Sequence, residues 1–422
     1  MTTRAFLLRL APLLVLALGL RLAYSLLLVK TQPLLGDGLE FHNLAYSIAD
    51  SHRYAQASFL TPDRVLPTAD KPPLYPLVLA LFTVVGGHGW IPHQIAGALI
   101  GTGTVAVTAL LGRRVAGDVA GLIAGGVAAI YPMLIAADGS FRSESLYALL
   151  VVATLLSAYA LWDRPTVRRA VVCGVLIGLA TLTRTEAIAL LVLLVFPAAL
   201  LAVPPKRAAG LTLAAAAAAI VVLTPWLIRC WVQFDRPVFV STNSGGLLAG
   251  ANCDKTYHGE WLGQWRFDCL PPANSTNEAV AASKLASEGI DYARDHAGRV
   301  PVVLGVRVLR SWELYRPRQQ WTIERFFEGR DLRVEQIGVV MYFVLALLAI
   351  AGALRLRSRG QPLRILLAPF VLVTLVSLGA YGFTRFRVAA EPALVVLASV
   401  TLAAAAARLR RGRPAARQTQ AL

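Results

Sequence analysis

GDGLEFHNLAYSIAD (residues 36–50) and ADKPPLYPLVLALF (residues 69–82) are the stretches from which the architecture of this chain is read. The first puts Asp37, Glu40 and His42 just beyond an apolar run at about 10–29. The second puts Asp70, Lys71 and a double proline directly ahead of another apolar run. Leu74 to Gly86 has 13 residues, about 20 Å as a helix, whereas the hydrocarbon core is roughly 30 Å thick. It is read as a short helix at the interface, opened by prolines where they are tolerated, and not as a crossing. Ionisable groups at membrane depth are costly, so by default they mark a working site.

Working outward, apolar runs recur from end to end. The 422 residues are 56% hydrophobic and 15% charged, with mean hydropathy +0.60, a composition of polytopic helical membrane proteins. A net charge of +17 on a soluble face would point to nucleic acid. Here much of it sits in short clusters between apolar runs: Arg113-Arg114, Arg164 with Arg168-Arg169, Lys206-Arg207, Arg355 to Arg359 and Arg408 to Arg417. Such clusters are retained on the cytoplasmic side, and nucleic acid is set aside as a partner. Arg4 and Arg9 precede the first run as in a signal peptide. Arg21 interrupts that run and no small-residue cleavage pattern follows, so it reads as an uncleaved span starting in the cytoplasm.

Placing every basic cluster inside gives ten spans with both termini cytoplasmic: about 10–29, 92–112, 117–135, 145–162, 170–183, 187–203, 209–228, 337–354, 363–383 and 388–407. The fold class is thus an all-α polytopic membrane protein with two large outer loops. Its expected organisation is an N-terminal transmembrane catalytic module at 1–228, including outer loop 30–91. An outer soluble region at 229–336 follows, then C-terminal transmembrane hairpins and a cytoplasmic tail at 337–422. Cys253 and Cys269 fall on the oxidising side, where a disulfide closing their loop is worth about 3 kcal/mol. Cys173 reads as a buried apolar residue within a span, and Cys230 as a free thiol at a span end. Asn274-Ser275-Thr276 matches a glycosylation sequon, but Ser275 to Glu278 reads better as a capping box opening a helix at about 277–297.

The polar clusters of the membrane part all fall at outer span ends or outer loops: Asp37, Glu40 and His42; Asp70 and Lys71; Asp138, Arg142 and Glu144; Arg184 and Glu186; Arg385 and Arg387. Carboxylates gathered with fixed cations suit transfer from an anionic lipid carrier. The cations stabilise a phosphate leaving group, and an Asp or Glu takes the proton of the incoming hydroxyl. Each residue also has a plainer reading. Asp37 and Glu40 form a capping box for a helix with apolar face Phe41, Leu44, Ala45 and Ile48. His42 reads as a polar-face residue rather than a metal ligand, and no ligand spacing supports a metal site. Arg142 with Glu144 reads equally as a salt-bridged hairpin tip, Arg385 and Arg387 as headgroup anchors, and Arg21 as a snorkelling side chain.

An acidic residue soon after the first span, then KPPLYP opening a short helix, resembles the GT-C glycosyltransferases, specifically the protein mannosyltransferase and lipid A aminoarabinose transferase group. FRSESLYALL, GLATLTRTE, TPWLIRCWVQFDRPVFVSTNSG and TRFRVAAEPALVVLA follow in order, covering roughly the first 250 residues and the last 40. The resemblance implies an inverting, metal-independent transfer, without cofactor, from a polyprenyl-phosphate sugar to a glycan, lipid or protein acceptor at the outer face of the plasma membrane. Asp37 matches the position of the family's catalytic acid residue, with Glu40 as the other candidate base. Lys71 matches its donor-phosphate lysine, with Arg142, Arg184, Arg385 and Arg387 as further phosphate ligands. His42, Glu144 and Glu186 complete the candidate site. The family often has adjacent Asp-Glu where this chain has Asp37-Gly38, which leaves open whether Asp37 or Glu40 takes the proton. The alternative is a transporter or flippase of lipid-linked glycans, disfavoured because the span centres are almost purely aliphatic.

Overall fold

Uninterrupted apolar helices set the frame wherever the sequence has no breaker. The structure, a computed structural model, describes residues 1–29, 36–58, 61–271, 275 and 277–411. Helix α1 (Thr3–Ala23) is capped by Thr2, whose side chain accepts from Ala5 N, and continues as a π-helical turn through Val29. Helix α2 (Asp37–Ser51) leads into a hairpin of β1 (Ala55–Ser58) and β2 (Thr61–Pro67), antiparallel with Ala55 opposite Pro67. Helix α3 is Leu74–Gly86, the bounds read from the sequence, with Pro73 at its cap. Its first amide donates to Leu182 O at 2.9 Å, which fixes the Lys71 segment to the membrane frame.

The frame continues with α4 (Trp90–Ala116), α5 (Asp118–Ile130), α6 (Pro132–Asp138), α7 (Glu144–Asp163), α8 (Val167–Thr181), α9 (Phe196–Leu200) and α10 (Pro205–Phe234). The region between α10 and α16 is helical too: α11 (Ser244–Ala251), α12 (Asp254–Tyr257), α13 (Glu278–Asp295), α14 (Val300–Ser311) and α15 (Pro317–Glu328). The chain returns through α16 (Leu332–Ser358), α17 (Leu363–Gly379) and α18 (Glu391–Arg411). Helix α7 lies in the largest apolar cluster, with Val151, Val152, Leu155, Ala158 and Leu161 fully buried or nearly so, while α1 turns Leu8 and Val15 outward.

Ten full-length spans are not what the structure shows. Among the described residues six helices are long and apolar enough to cross a membrane, or seven if α5 and α6, bent by 58°, form one span. The expected segments at 170–183, 187–203 and 363–383 are helical but short or broken. Residues 185–200 pass from 3-10 through π to α-helix, and α17, with Pro369 inside it, has only 17 residues. Pro132 causes the α5–α6 bend: it cannot donate to the ladder and holds Tyr131 extended.

Two local expectations are also corrected. Arg21 does not snorkel: it is fully buried, its Nε 2.7 Å from Asp138 Oδ2, and it donates to Ala17 O and Ala129 O. A Cβ on Gly101 of α4 would lie 1.9 Å from Asp138 Oδ2, so only glycine leaves room for this pair. Helix α13 is capped by Asn277, which accepts from Ala279 N and Val280 N, and not by Ser275. Asn274 and Thr276 of the sequon lie outside the described residues. Cys253 and Cys269 are disulfide-bonded, and Cys173 and Cys230 are free and buried.

Candidate active site

The first turn of α2 carries the centre of the site. Its cap is Gly36, without a side-chain cap bond, so Asp37 is not the expected capping residue. Its carboxylate turns instead to three cations: Lys71 Nζ at 2.7 Å, Arg142 Nη1 at 3.0 Å and Arg385 Nη1 at 2.6 Å. Lys71 Nζ also meets Glu40 Oε2 at 2.8 Å and Asp70 Oδ2 at 3.0 Å. Behind Arg385, Arg184 bridges Glu144 at 2.7 Å and Glu186 at 2.6 Å. Arg142 and Glu144 therefore do not pair as a hairpin tip; each reaches a partner on another segment.

Lys71 is held in place by a backbone clamp. Glu278, at the start of α13, accepts from Thr68 Oγ1 at 2.7 Å and Ala69 N at 2.9 Å, and also from Thr242 Oγ1. Arg229 of α10 donates to Thr68 O at 2.6 Å and to Tyr54 O at 2.9 Å, while Tyr54 Oη donates to Lys71 O at 2.9 Å. The reading of Glu278 as half of a capping box missed this use, and no signal in the sequence links residues 210 positions apart.

These groups line a cavity of about 850 Å³. Asp37, Glu40, Asp70, Lys71, Arg142, Glu144, Arg184, Glu186 and Arg385 all face it. The rest of the wall includes Trp261, Trp265, Tyr381, Phe383 and Glu328. Two candidates lie elsewhere. His42 is buried between α2 and α4, its ring stacked 3.4 Å from that of Trp90 and its Nδ1 2.9 Å from His93 Nδ1. Burial, with His93 beside it, pushes its pKa down to about 3, so it is a neutral packing residue rather than a polar-face one. Arg387 is 1% exposed, 2.6 Å from Glu391 and 3.7 Å from the Tyr342 ring centre, and serves neither as a cavity cation nor as a headgroup anchor.

Electrostatics separate the two candidate bases. Burial raises the Asp37 pKa, but Lys71, Arg385 and Arg142 outweigh it and hold the carboxyl well below its usual range. Glu40 goes the other way, raised by burial and by the charges of Asp70 and Asp37 against the pull of Lys71. Asp70 is raised too, chiefly by burial. Burial works against the Lys71 cation, yet Asp37, Asp70 and Glu40 drive its pKa well above the usual value, so it stays charged. Among the described residues no group of three or more His, Cys, Asp or Glu is arranged to hold a metal ion.

A helical membrane frame around a cavity of converging cations and carboxylates defines the class: an all-α polytopic membrane protein. Residues 70–229 match the family described as dolichyl-phosphate-mannose-protein mannosyltransferase. The matched part carries Asp70, Lys71, Arg142, Glu144, Arg184 and Glu186. Among solved structures, the Archaeoglobus fulgidus oligosaccharyltransferase tethered with an acceptor peptide is 15% identical, TM-score 0.59, over 98% of this chain and 51% of that one. The archaeal oligosaccharyltransferase AglB from the same organism, in complex with an inhibitory peptide and a dolichol-phosphate, is 14% identical, TM-score 0.56, over 98% and 52%. ArnT from Cupriavidus metallidurans bound to undecaprenyl phosphate is 18% identical, TM-score 0.45, over 97% and 80%. The chain thus spans about half the length of the archaeal enzymes it resembles. No curated protein matches the chain.

Proposed function

We propose that this chain is an inverting glycosyltransferase that moves a sugar from a polyprenyl-phosphate donor to an acceptor at the outer face of the membrane. The observation that carries this is the convergence of Lys71, Arg142 and Arg385 on one carboxylate, Asp37, inside the cavity. The acceptor hydroxyl attacks the anomeric carbon, the bond from that carbon to the phosphate oxygen breaks, and polyprenyl phosphate leaves. The donor phosphodiester carries one charge and the departing monoester approaches two. Cations fixed in a site sheltered from water therefore bind the transition state more tightly than the donor.

Asp37 is the proposed base, with Glu40 next to it. Asp37 is a weak base while three cations hold it ionised. A donor phosphate competes for those cations, and each one withdrawn raises the proton affinity of Asp37. Donor binding thereby arms the base, an order that suppresses proton uptake before the donor is seated. Arg184, between Glu144 and Glu186, orients these groups from behind. Support for a lipid-linked donor also comes from the mannosyltransferase match and from the fold shared with an enzyme solved with dolichol-phosphate.

The outer orientation, with cytoplasmic termini in a plasma membrane, rests on where the basic clusters lie. Glu144, in the site, and Asp163, which pairs with Arg114 at 2.9 Å, are the two ends of the 20-residue helix α7. Such a helix is about 30 Å long, the thickness of the hydrocarbon core. The Arg113-Arg114 cluster and the cavity therefore sit on opposite faces. The test is to incubate purified protein with a panel of polyprenyl-phosphate sugars. Release of polyprenyl phosphate, abolished by Asp37→Asn, is expected; no release from any member, with the protein folded, refutes the reading.

A further inference from the structure

The outer region between α11 and α13 lies beyond the matched family segment, yet it builds one wall of the cavity. The disulfide Cys253–Cys269 ties the two ends of this loop, and Trp261, Trp265, Arg266 and Asp268 project from it into the cavity. Trp265 is pinned along one edge. Its Nε1 donates to Gly246 O at 2.9 Å, and a Cβ on Gly250 would lie 2.2 Å from that nitrogen. The Arg266 guanidinium covers Trp261 at 4.2 Å from the ring centre and is itself forked onto Asp268, both bonds 2.8 Å. The aromatic wall then runs towards the chemistry. Trp265 lies 6.4 Å from Tyr381, whose hydroxyl accepts from Arg385 at 2.6 Å, and Arg385 bonds Asp37.

We propose that this wall seats the acceptor and that the acceptor is a glycan. The inference rests on the glycosyltransferase reading above and names the substrate class for that site. A sugar ring has a face of C–H groups and a rim of hydroxyls. A rigid indole receives the first, and the charged groups Arg266 and Asp268 beside the indoles receive the second. A polyprenyl chain on the same wall would strip water from Arg266 and Asp268 and return nothing to them. A peptide needs a row of partners for its backbone amides, whereas the groups here alternate with indole faces. A ring held at Trp265 has a hydroxyl directed along Tyr381 towards Asp37, where its proton is taken.

The test uses saturation-transfer NMR on the purified protein with mannobiose, an arabinofuranosyl disaccharide and a serine- and threonine-containing peptide, with undecaprenyl phosphate binding followed in parallel. At least one disaccharide should show transfer concentrated on its ring C–H groups. Trp261→Ala and Trp265→Ala should weaken it about tenfold, and Trp265→Phe less, with undecaprenyl phosphate affinity changed less than about threefold. Thermal melting of each variant separates lost contacts from lost folding. Binding of the peptide but neither disaccharide overturns the proposal. So does a loss at the tryptophans that falls on undecaprenyl phosphate, which would make the wall the seat of the lipid chain. Failure of the underlying reading looks different: wild-type protein would not bind undecaprenyl phosphate, or would bind it regardless of Lys71→Met.

Discussion

Replacing Lys71 by methionine keeps the reach of the side chain and removes the charge that three carboxylates share. Asp37 retains Arg142 and Arg385, but Glu40 and Asp70 lose the cation that lies 2.8 Å and 3.0 Å from them. Both are already raised in the native protein, and the variant relieves the remaining strain by binding protons. Holding Glu40 protonated at pH 7, against an ordinary value of 4.5, costs at most about 3.4 kcal/mol and at pH 5 about 0.7 kcal/mol. Removing one partner of a buried ionic cluster typically costs about 3–5 kcal/mol. The expected loss is therefore about 3–5 kcal/mol at pH 7, shrinking to about 1–2 kcal/mol at pH 5. The sign follows from proton counts: above the ordinary carboxylate range the folded variant holds more protons than the unfolded chain, so its stability falls as pH rises. Thermal unfolding in detergent from pH 5 to pH 8, variant against wild type, reads this directly. A difference that does not change with pH refutes the reasoning, and so does no loss at pH 7. Undecaprenyl phosphate binding and turnover should fall together, because the phosphate charge is present before and during transfer.

Asp37→Asn should cost about 10²–10⁴-fold in turnover with donor binding preserved, since an amide cannot take the acceptor proton. If that variant keeps near wild-type rates while Glu40→Gln is inactive, the base is Glu40; activity in both rejects carboxylate base catalysis at this site. Glu278→Ala should raise the donor KM about tenfold through a displaced Lys71, with partial recovery in Glu278→Asp; an unchanged KM would show that the clamp does not position the lysine. Reduction of the Cys253–Cys269 bond should lower stability by about 3 kcal/mol, read as a lower melting temperature in dithiothreitol. Two free thiols in non-reducing mass spectrometry would contradict the bond.

The part of the site that local chemistry could announce was legible in the sequence. KPP before 13 apolar residues specifies a short helix start, and α3 begins and ends where the pattern predicts. A lone Asp and Glu beside a Lys-bearing turn, flanked by apolar runs, also stand out for their desolvation cost. Direction was not legible. Arg385 and Arg387 lie in one 3-10 turn, Thr384–Ala389, where side chains two residues apart point about 120° apart. One therefore faces the cavity and the other the core, a difference that composition does not encode. His42 carried the signature of a polar face until its neighbours Trp90 and His93 were in place. The count of ten spans is not confirmed, because hydropathy sums apolar residues without reporting helix length or type, and 185–200 passes from 3-10 through π to α-helix.

The Arg21–Asp138 pair has a consequence for how the chain is assembled. Its partners are 117 residues apart, so α1 enters the bilayer well before α6 has been made. During that interval Arg21, in the last turn of α1, has no carboxylate to meet, and a lone arginine in an inserting helix costs up to about 2.5–3.5 kcal/mol on the insertion scale, the upper figure applying at the helix centre. Helix α1 is thus a provisional lodger of the membrane, free to shift in depth or tilt until Asp138 arrives against Gly101 and fixes its register. Residence of the first helix is settled by the sixth, and biogenesis of the cavity waits on that late capture.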